Sequence, residues 1–284
     1  MKDLAYYNGR IDTVDGMMIP MNDRACWFGD GVYDVTMVHN DIPYCFDAHI
    51  DRFFRSAALM RIDMPLTKDE LKSLIVSLLG KVDEPDKIVY MQVTRGTAPR
   101  AHAFPEGVRA NLWMTIKPGR IKPMDKPITL ITTEDTRYTL CNVKTINLIP
   151  NCMAEQAAIE AGCTTAVFCR DGFVTECAHS NCHIIKDGKI ITHDTDNLIL
   201  PGIARSNLLR IAGKTGIPYE IRSFTVDEMM NADEVFTTST TCICMRVSEI
   251  DHKPVGMKDE KTLMKLRTAL FNDYLEETEG KVLQ

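Results

Sequence analysis

None of the ten cysteines stands in a Cys-x-x-Cys pair. Reduced core thiols of a cytosolic chain are therefore the expectation, in preference to a disulfide framework. The densest run of ligand-type side chains, Cys177-Ala178-His179-Ser180-Asn181-Cys182-His183, fits no usual zinc spacing, so no metal is expected. Positive charge is not in excess. The formal net charge is −6, the pI is about 5.7 and no basic run is present, which argues against a nucleic-acid partner. No apolar stretch approaches a membrane span, and Met1 to Asp12 contain no apolar signal core. A cytoplasmic location without membrane contact is expected. Gly29 and Gly31 form Gly-x-Gly with no third glycine at the dinucleotide spacing. Internal repeats and low-complexity segments are also absent.

What remains is an ordinary globular balance, 45% hydrophobic and 25% charged, in 284 residues, enough for two domains or one large one. Tyr6 to Ile11 and Met17 to Pro20 read as short strands around a turn at Asp15-Gly16. Val32 to His39 reads as a strand that turns at Asn40-Asp41. Asp47 is placed to cap a helix reaching about Arg61, with Ile50, Phe53, Phe54 and Ala57 on one face and Arg52 off that stripe. Thr67 and Glu70 form a capping box for a second helix. The run from Lys87 to Gly96 is strongly β-forming and opens into the loop Thr97-Ala98-Pro99-Arg100-Ala101-His102. Helices mixed with strands in this way suggest an α+β first domain over residues 1–117. Residues 118–127, with Pro118, Gly119, Pro123 and Pro127, are the best linker, and residues 128–284 make the larger domain. Within it, a helix from Pro150 to Ala161, a hairpin at Asp187-Gly188, a helix opening at Gly202 and a second capping box at Thr225 and Glu228 stand out.

Near the middle lies Asn142-Val143-Lys144-Thr145-Ile146-Asn147. Val143, Thr145 and Ile146 are β-branched, so an extended segment is expected, with Lys144 facing away from Val143 and Thr145. Such a lysine is either a solvated strand residue or a desolvated amine able to attack a carbonyl. Glu176, at the end of Val174-Thr175-Glu176, is either a surface carboxylate or the partner of a protonated ring nitrogen. Three features suit an anion: the helix start at Gly202-Ile203-Ala204, the hydroxyls of Ser239-Thr240-Thr241, and the charge of Arg52.

Taken in order, Phe28-Gly29-Asp30-Gly31-Val32-Tyr33, His49-Ile50-Asp51-Arg52, Arg100-Ala101-His102, Lys144-Thr145-Ile146-Asn147, Thr175-Glu176 with Ser180-Asn181, Gly202-Ile203 and Thr238-Ser239-Thr240-Thr241 resemble the fold-type IV pyridoxal-phosphate aminotransferases over nearly the whole chain. Within that family the sequence is most similar to the D-amino-acid aminotransferases. The Arg-x-His loop is the most specific element, because branched-chain aminotransferases and aminodeoxychorismate lyases share the lysine and glutamate motifs without it. The resemblance implies a small α+β domain, a larger domain containing a β-barrel, a homodimer, and pyridoxal 5′-phosphate as cofactor. It implies that Lys144 forms the Schiff base and later carries the proton, and that Glu176 partners the pyridine nitrogen. Arg52, Ile203, Ala204, Ser239 and Thr240 are implied as the phosphate cradle. The resemblance also implies that Tyr33 lies beside cofactor and substrate, and that Arg100 and His102, from the neighbouring subunit, trap the substrate carboxylate. Two departures stand out. Cys177-Ala178-His179 replaces Gly-Ser-Ser, and Ala204 replaces a threonine while keeping its backbone N–H. The implied reaction is transamination between D-alanine and 2-oxoglutarate. The alternatives are another fold-type IV activity (branched-chain L-aminotransferase, R-selective amine transaminase, or lyase) and a non-catalytic binding protein.

Overall fold

In the computed structural model, which describes residues 1–279, the chain first turns at Asn8-Gly9. These residues sit at φ 45° and 95°, the left-handed pair that a two-residue hairpin needs. They join β1 (Leu4–Tyr7) to β2 (Arg10–Asp12). Asp15-Gly16 does lie in a turn, but residues 17–20 are irregular, so the expected hairpin there does not form.

The first of two compact units comprises Met1–Arg120, Val143–Asn147 and residues 277–279. Its further elements are α1 (Arg24–Phe28), β3 (Gly31–His39), β4 (Ile42–Pro43), α2 (Phe46–Leu59), α3 (Lys68–Leu79), β5 (Asp86–Thr94) and β6 (Asn111–Pro118). The strands form one antiparallel sheet in the order β2-β1-β6-β5-β3-β4. Ile50, Phe53 and Ala57 of α2 and Leu71, Ile75 and Leu78 of α3 bury against Val32, Val89, Met91, Val93 and Met114 of the sheet. Thr67 and Glu70 make the expected capping box. Asp47 does not cap α2. Cys45, at φ 51°, is the N-cap, and Asp47 sits in the first turn, where its charge meets the positive helix end.

Strand alternation separates Tyr33 from Asp34. Asp34 pairs with Met91 and so faces α2, whereas Tyr33 pairs with Gln92 on the opposite face, its ring stacked on Tyr90 at 5.3 Å. Beside them, β4 covers only Val38 and His39 of β3. The remaining edge receives Val143–Asn147. That segment forms a single bridge, Val32 to Thr145, rather than the expected strand. The reason is local: Thr145 N–H donates to Val143 O at 2.9 Å, which folds the segment too tightly to continue a ladder. Val143 belongs to the first unit's core, so this stretch departs from the residue 128–284 domain expected from the linker position.

The second unit comprises Ile121–Asn142 and Leu148–Glu276. It contains β7 (Ile128–Glu134), α4 (Ile149–Glu160), β8 (Thr165–Arg170), β9 (Phe173–Cys177), β10 (Asn181–Lys186), β11 (Lys189–Thr192), α5 (Ile203–Thr215), β12 (Tyr219–Ile221), β13 (Phe224–Thr225), α6 (Val226–Met230), β14 (Glu234–Thr238), β15 (Met245–Ile250) and β16 (Lys253–Pro254). α7 (Glu260–Glu279) begins here as well. The strand order is β12-β11-β10-β14-β15-β7-β8-β9-β13, with β16 on β15, in a sheet curled as a half-barrel. β7 and β8 are parallel, so a crossover must join them, and it includes α4. The hairpin at Asp187-Gly188 has φ 50° and 71°, as a two-residue turn of this kind requires. Its core joins Leu130, Val167, Val174, Cys182, Ile184, Val235 and Val247.

Candidate active site

On the first unit, Lys144 is held by its backbone. Its N–H donates to Ser56 Oγ of α2 at 3.2 Å, and its carbonyl accepts from Tyr33 N–H at 2.9 Å. The side chain is half-buried. Its Nζ lies 3.3 Å from Tyr33 Oη and 4.3 Å from the centre of the Tyr33 ring. Asn147 fixes the end of the segment by donating to Gly29 O at 2.7 Å. Gly29 must lack a side chain: its φ is 60° and a Cβ would meet Asn147 Oδ1 at 2.8 Å.

Arg52 does not lie on a solvated face. It is buried with His49 and Ser56 along a polar edge of α2. Its Nε and Nη2 reach the two oxygens of Asp34, each at 2.7 Å, and His49 Nδ1 lies 2.8 Å from Asp34 Oδ1. Burial alone would raise the Asp34 carboxyl pKa. The Arg52 charge and the hydrogen bonds from His49 and Arg52 outweigh burial and hold it well below the usual carboxylate range. Burial pushes His49 the other way, down, against the pull of Asp34. A polar i, i+3, i+7 series, His49, Arg52 and Ser56, was the available sequence signal for this buried edge. Asp34 gave none.

Arg100 and His102 are both exposed, and both meet one ring. The Arg100 guanidinium carbon is 5.3 Å from the Phe28 centroid, and the His102 ring is 5.3 Å from the same point.

On the second unit, Glu176 is 5% exposed and surrounded by donors. Arg137 Nη1 donates to Oε1, Asn181 Nδ2 donates to Oε2 at 3.0 Å, and Leu200 N–H reaches both oxygens at 3.1 Å. Arg137 also grips Asp135 through Nε at 3.0 Å and Nη2 at 2.8 Å, and lies over the Phe168 ring at 4.3 Å. Burial would lower the Arg137 pKa, but Asp135 and Glu176 raise it. This arginine, absent from the expected set, fixes the direction of the Glu176 side chain.

Asn181 organises the rest. It pairs with Thr238 across the β10–β14 ladder, next to Ser239 and Thr240. Its Oδ1 occupies the space where a Cβ on Gly202 would lie. Gly202 is the N-cap of α5, and no side chain caps that helix, so Ile203 and Ala204 present first-turn N–H groups. Ser239 Oγ is buried without a hydrogen-bond partner. An uncapped helix start and an orphaned hydroxyl, both flanking Asn181, are what a bound phosphate group would satisfy.

The Cys177–His183 run is dispersed by strand alternation. Cys177 and Cys182 enter the core, His183 bonds Thr192 and Thr238, and exposed His179 lies 3.6 Å from Glu155. Among the described residues, no group of three or more His, Cys, Asp or Glu side chains could hold a metal ion.

The family model described as amino-transferase class IV matches residues 31–250. A D-alanine aminotransferase from Bacillus licheniformis is 39% identical over 277 residues, covering 96% of this chain and 97% of that protein. One from Listeria monocytogenes is 37% identical and covers 86% of each. One from Staphylococcus epidermidis is 32% identical over 95% of this chain and 97% of the relative. Among solved structures, a T.th. branched-chain amino acid aminotransferase with pyridoxamine 5′-phosphate superposes with a TM-score of 0.89 at 22% identity, over 98% of this chain and 96% of that one. The Escherichia coli branched-chain enzyme gives 0.89 at 20%, over 99% and 97%. At these identities the two structures speak to the fold alone.

Proposed function

The chain belongs to the amino-transferase class IV family, and from that premise we propose that it is a D-amino-acid aminotransferase, moving the amino group of D-alanine to 2-oxoglutarate to give pyruvate and D-glutamate. The observation that carries this reading is the 39% identity, over 96% of the chain, to a D-alanine aminotransferase. The cofactor of this family is pyridoxal 5′-phosphate, whose ring, when bound, draws electrons from the substrate Cα.

The chain's own residues have separate tasks. Lys144 Nζ holds the cofactor and, once released, carries the proton away from the substrate Cα. Tyr33 Oη, 3.3 Å away, steadies that amine. Glu176, hydrogen-bonded by Arg137, Asn181 and Leu200 N–H, would supply the negative charge that keeps the ring nitrogen protonated. Arg52, the N–H groups of Ile203 and Ala204, and the hydroxyls of Ser239 and Thr240 take the phosphate. Arg100 and His102 take the substrate α-carboxylate, which fixes the Cα face that is worked on. A guanidinium fork matches a carboxylate in both geometry and charge.

A homodimer fits this reading, with the carboxylate trap supplied by the other subunit. Exposed Ile149 and Met153 on one face of α4, with exposed Tyr138 and Leu140 in the preceding segment, give the second unit an apolar surface that a second copy would cover. No helix among the described residues is long and apolar enough to cross a membrane. A cytoplasmic location fits the likeness to bacterial D-alanine aminotransferases over nearly the whole chain.

Chiral separation of the glutamate formed from D-alanine and 2-oxoglutarate tests the reading. D-Glutamate is the expected product; no turnover of D-alanine, with L-glutamate formed only from an L-amino acid, would place the chain with the branched-chain type of enzyme.

A further inference from the structure

From Pro99 to Phe104 the loop that carries Arg100 and His102 is exposed, and no helix or strand holds it. It is gripped from beneath by Arg24, which is 3% exposed. Arg24 Nη1 donates to Ala101 O at 2.6 Å and to Ala103 O at 3.3 Å, and Nη2 donates to His102 O at 3.4 Å. One guanidinium thus meets three successive carbonyls of the loop. Its Nε donates to Asp30 Oδ2 at 2.7 Å.

Asp30 is in turn shared. Arg95 places Nε on Oδ2 at 2.8 Å and Nη2 on Oδ1 at 2.9 Å. The remaining Arg95 donors reach Arg61 O at 2.8 Å and Met60 O at 2.9 Å, and the ring of Phe104 lies over its guanidinium at 3.5 Å. Two buried arginines therefore face one carboxylate, and the surplus charge is spread over backbone carbonyls. Above Arg24 sits Phe28, with its ring 4.8 Å from the Arg24 guanidinium carbon and in contact with both Arg100 and His102.

We propose that Arg24, braced by Asp30, is a positioning residue for the carboxylate trap: it sets the backbone of Ala101, His102 and Ala103, and Phe28 stacked on it sets the directions of the Arg100 and His102 side chains. Arg24 itself touches no substrate. The role demands arginine, because a lysine ammonium lacks the planar fork that spans Asp30 on one side and several carbonyls on the other. The same five-residue helix ends at Gly29, whose carbonyl holds Asn147, so α1 anchors the trap loop and the Lys144 segment alike. This inference rests on the trap reading of Arg100 and His102.

The test uses full-length holoenzyme carrying Arg24→Gln or Arg24→Lys, each alone, and Arg24→Gln also combined with Arg100→Ala. Asp30 keeps Arg95 in both variants, so the fold keeps its buried pair. Amide hydrogen exchange over residues 99–104 is expected to speed up in Arg24→Gln whether or not substrate is present. KM for D-alanine is expected to rise about 10- to 100-fold, the range that an ångström-scale misplacement costs, with kcat changed far less. Arg24→Lys is expected to fall between wild type and Arg24→Gln, and serves as the test if Arg24→Gln does not fold. On the Arg100→Ala background, Arg24→Gln is expected to add little to KM, since both act through one contact. Unchanged loop exchange, or additive effects on KM, overturns the positioning role. If Arg100→Ala alone leaves KM unchanged, the trap reading fails, and faster loop exchange in Arg24→Gln would still support the clamp.

Discussion

Arg52 lays Nε and Nη2 on the two oxygens of Asp34, both at 2.7 Å, in the buried space between β3 and α2. A guanidinium so placed cannot swing, so its direction is set by a residue that a sequence pattern does not associate with it.

Breaking that pair should be costly and pH-dependent. Asp34→Asn leaves a buried guanidinium without its counter-charge, and a loss of about 3–5 kcal/mol in stability is expected. The Asp34 carboxyl is lowered in the folded state. Its contribution is therefore complete above its unfolded value, about pH 4, and is lost as pH falls towards the lower folded value. The variant's deficit in denaturant melts should then be largest at about pH 7 and smaller by about pH 3. His49 adds in the same direction. Its folded pKa is lowered, so the unfolded chain takes up that proton first and wild-type stability falls below about pH 6.5. A deficit independent of pH would mean that the ionised pair is not what Asp34 contributes.

Gly202 has no room for a side chain. Gly202→Ala places a Cβ on Asn181 Oδ1 and must move the amide that also donates to Glu176. Overpacking of this kind costs about 1–3 kcal/mol. The cofactor should also be lost faster on dialysis than from wild type, and equal retention would separate the helix start from phosphate binding.

Glu176→Gln keeps the shape but removes the charge, while Arg137 keeps Asp135 as partner. Loss of one preorganised electrostatic partner should lower kcat by about 100-fold or more. Steady-state rates with D-alanine and the visible spectrum of the holoenzyme check this, and no change in either would remove Glu176 from the reaction.

If the trap loop acts on the other subunit, Arg100→Ala protomers, poor at low D-alanine because of their raised KM, and inactive Lys144→Ala protomers should complement each other at low D-alanine. Mixed dimers would pair an intact lysine with an intact trap in one of their two sites. Heterodimers that form but show no activity would place the loop elsewhere.

Much of the fold was legible because its signals are local. The capping boxes at Thr67 with Glu70 and Thr225 with Glu228, the Asp187-Gly188 hairpin and the start of α5 at Gly202 all depend on residues within one turn of each other. β12, β13 and β16 are two or three residues long, too short to carry a period. The residues that sequence reasoning missed are held by distant partners: Asp34 by α2, Arg137 by Glu176, and Arg24 by the loop carbonyls about 80 residues on. Nothing in the local pattern of Asn142 to Asn147 reveals that Val143 joins the first unit's core, because that placement depends on the β3 edge left open by a two-residue β4.

The central claim is that this chain transaminates D-amino acids through Lys144. Pyruvate released from D-alanine and from L-alanine, each with 2-oxoglutarate, measured on wild type and Lys144→Ala, tests it most directly. Release from D-alanine alone is predicted for wild type. Lys144→Ala is predicted to release none from either isomer and to lose the bound cofactor's visible absorption. Preferential release from L-alanine, or wild-type turnover by Lys144→Ala, would contradict the claim.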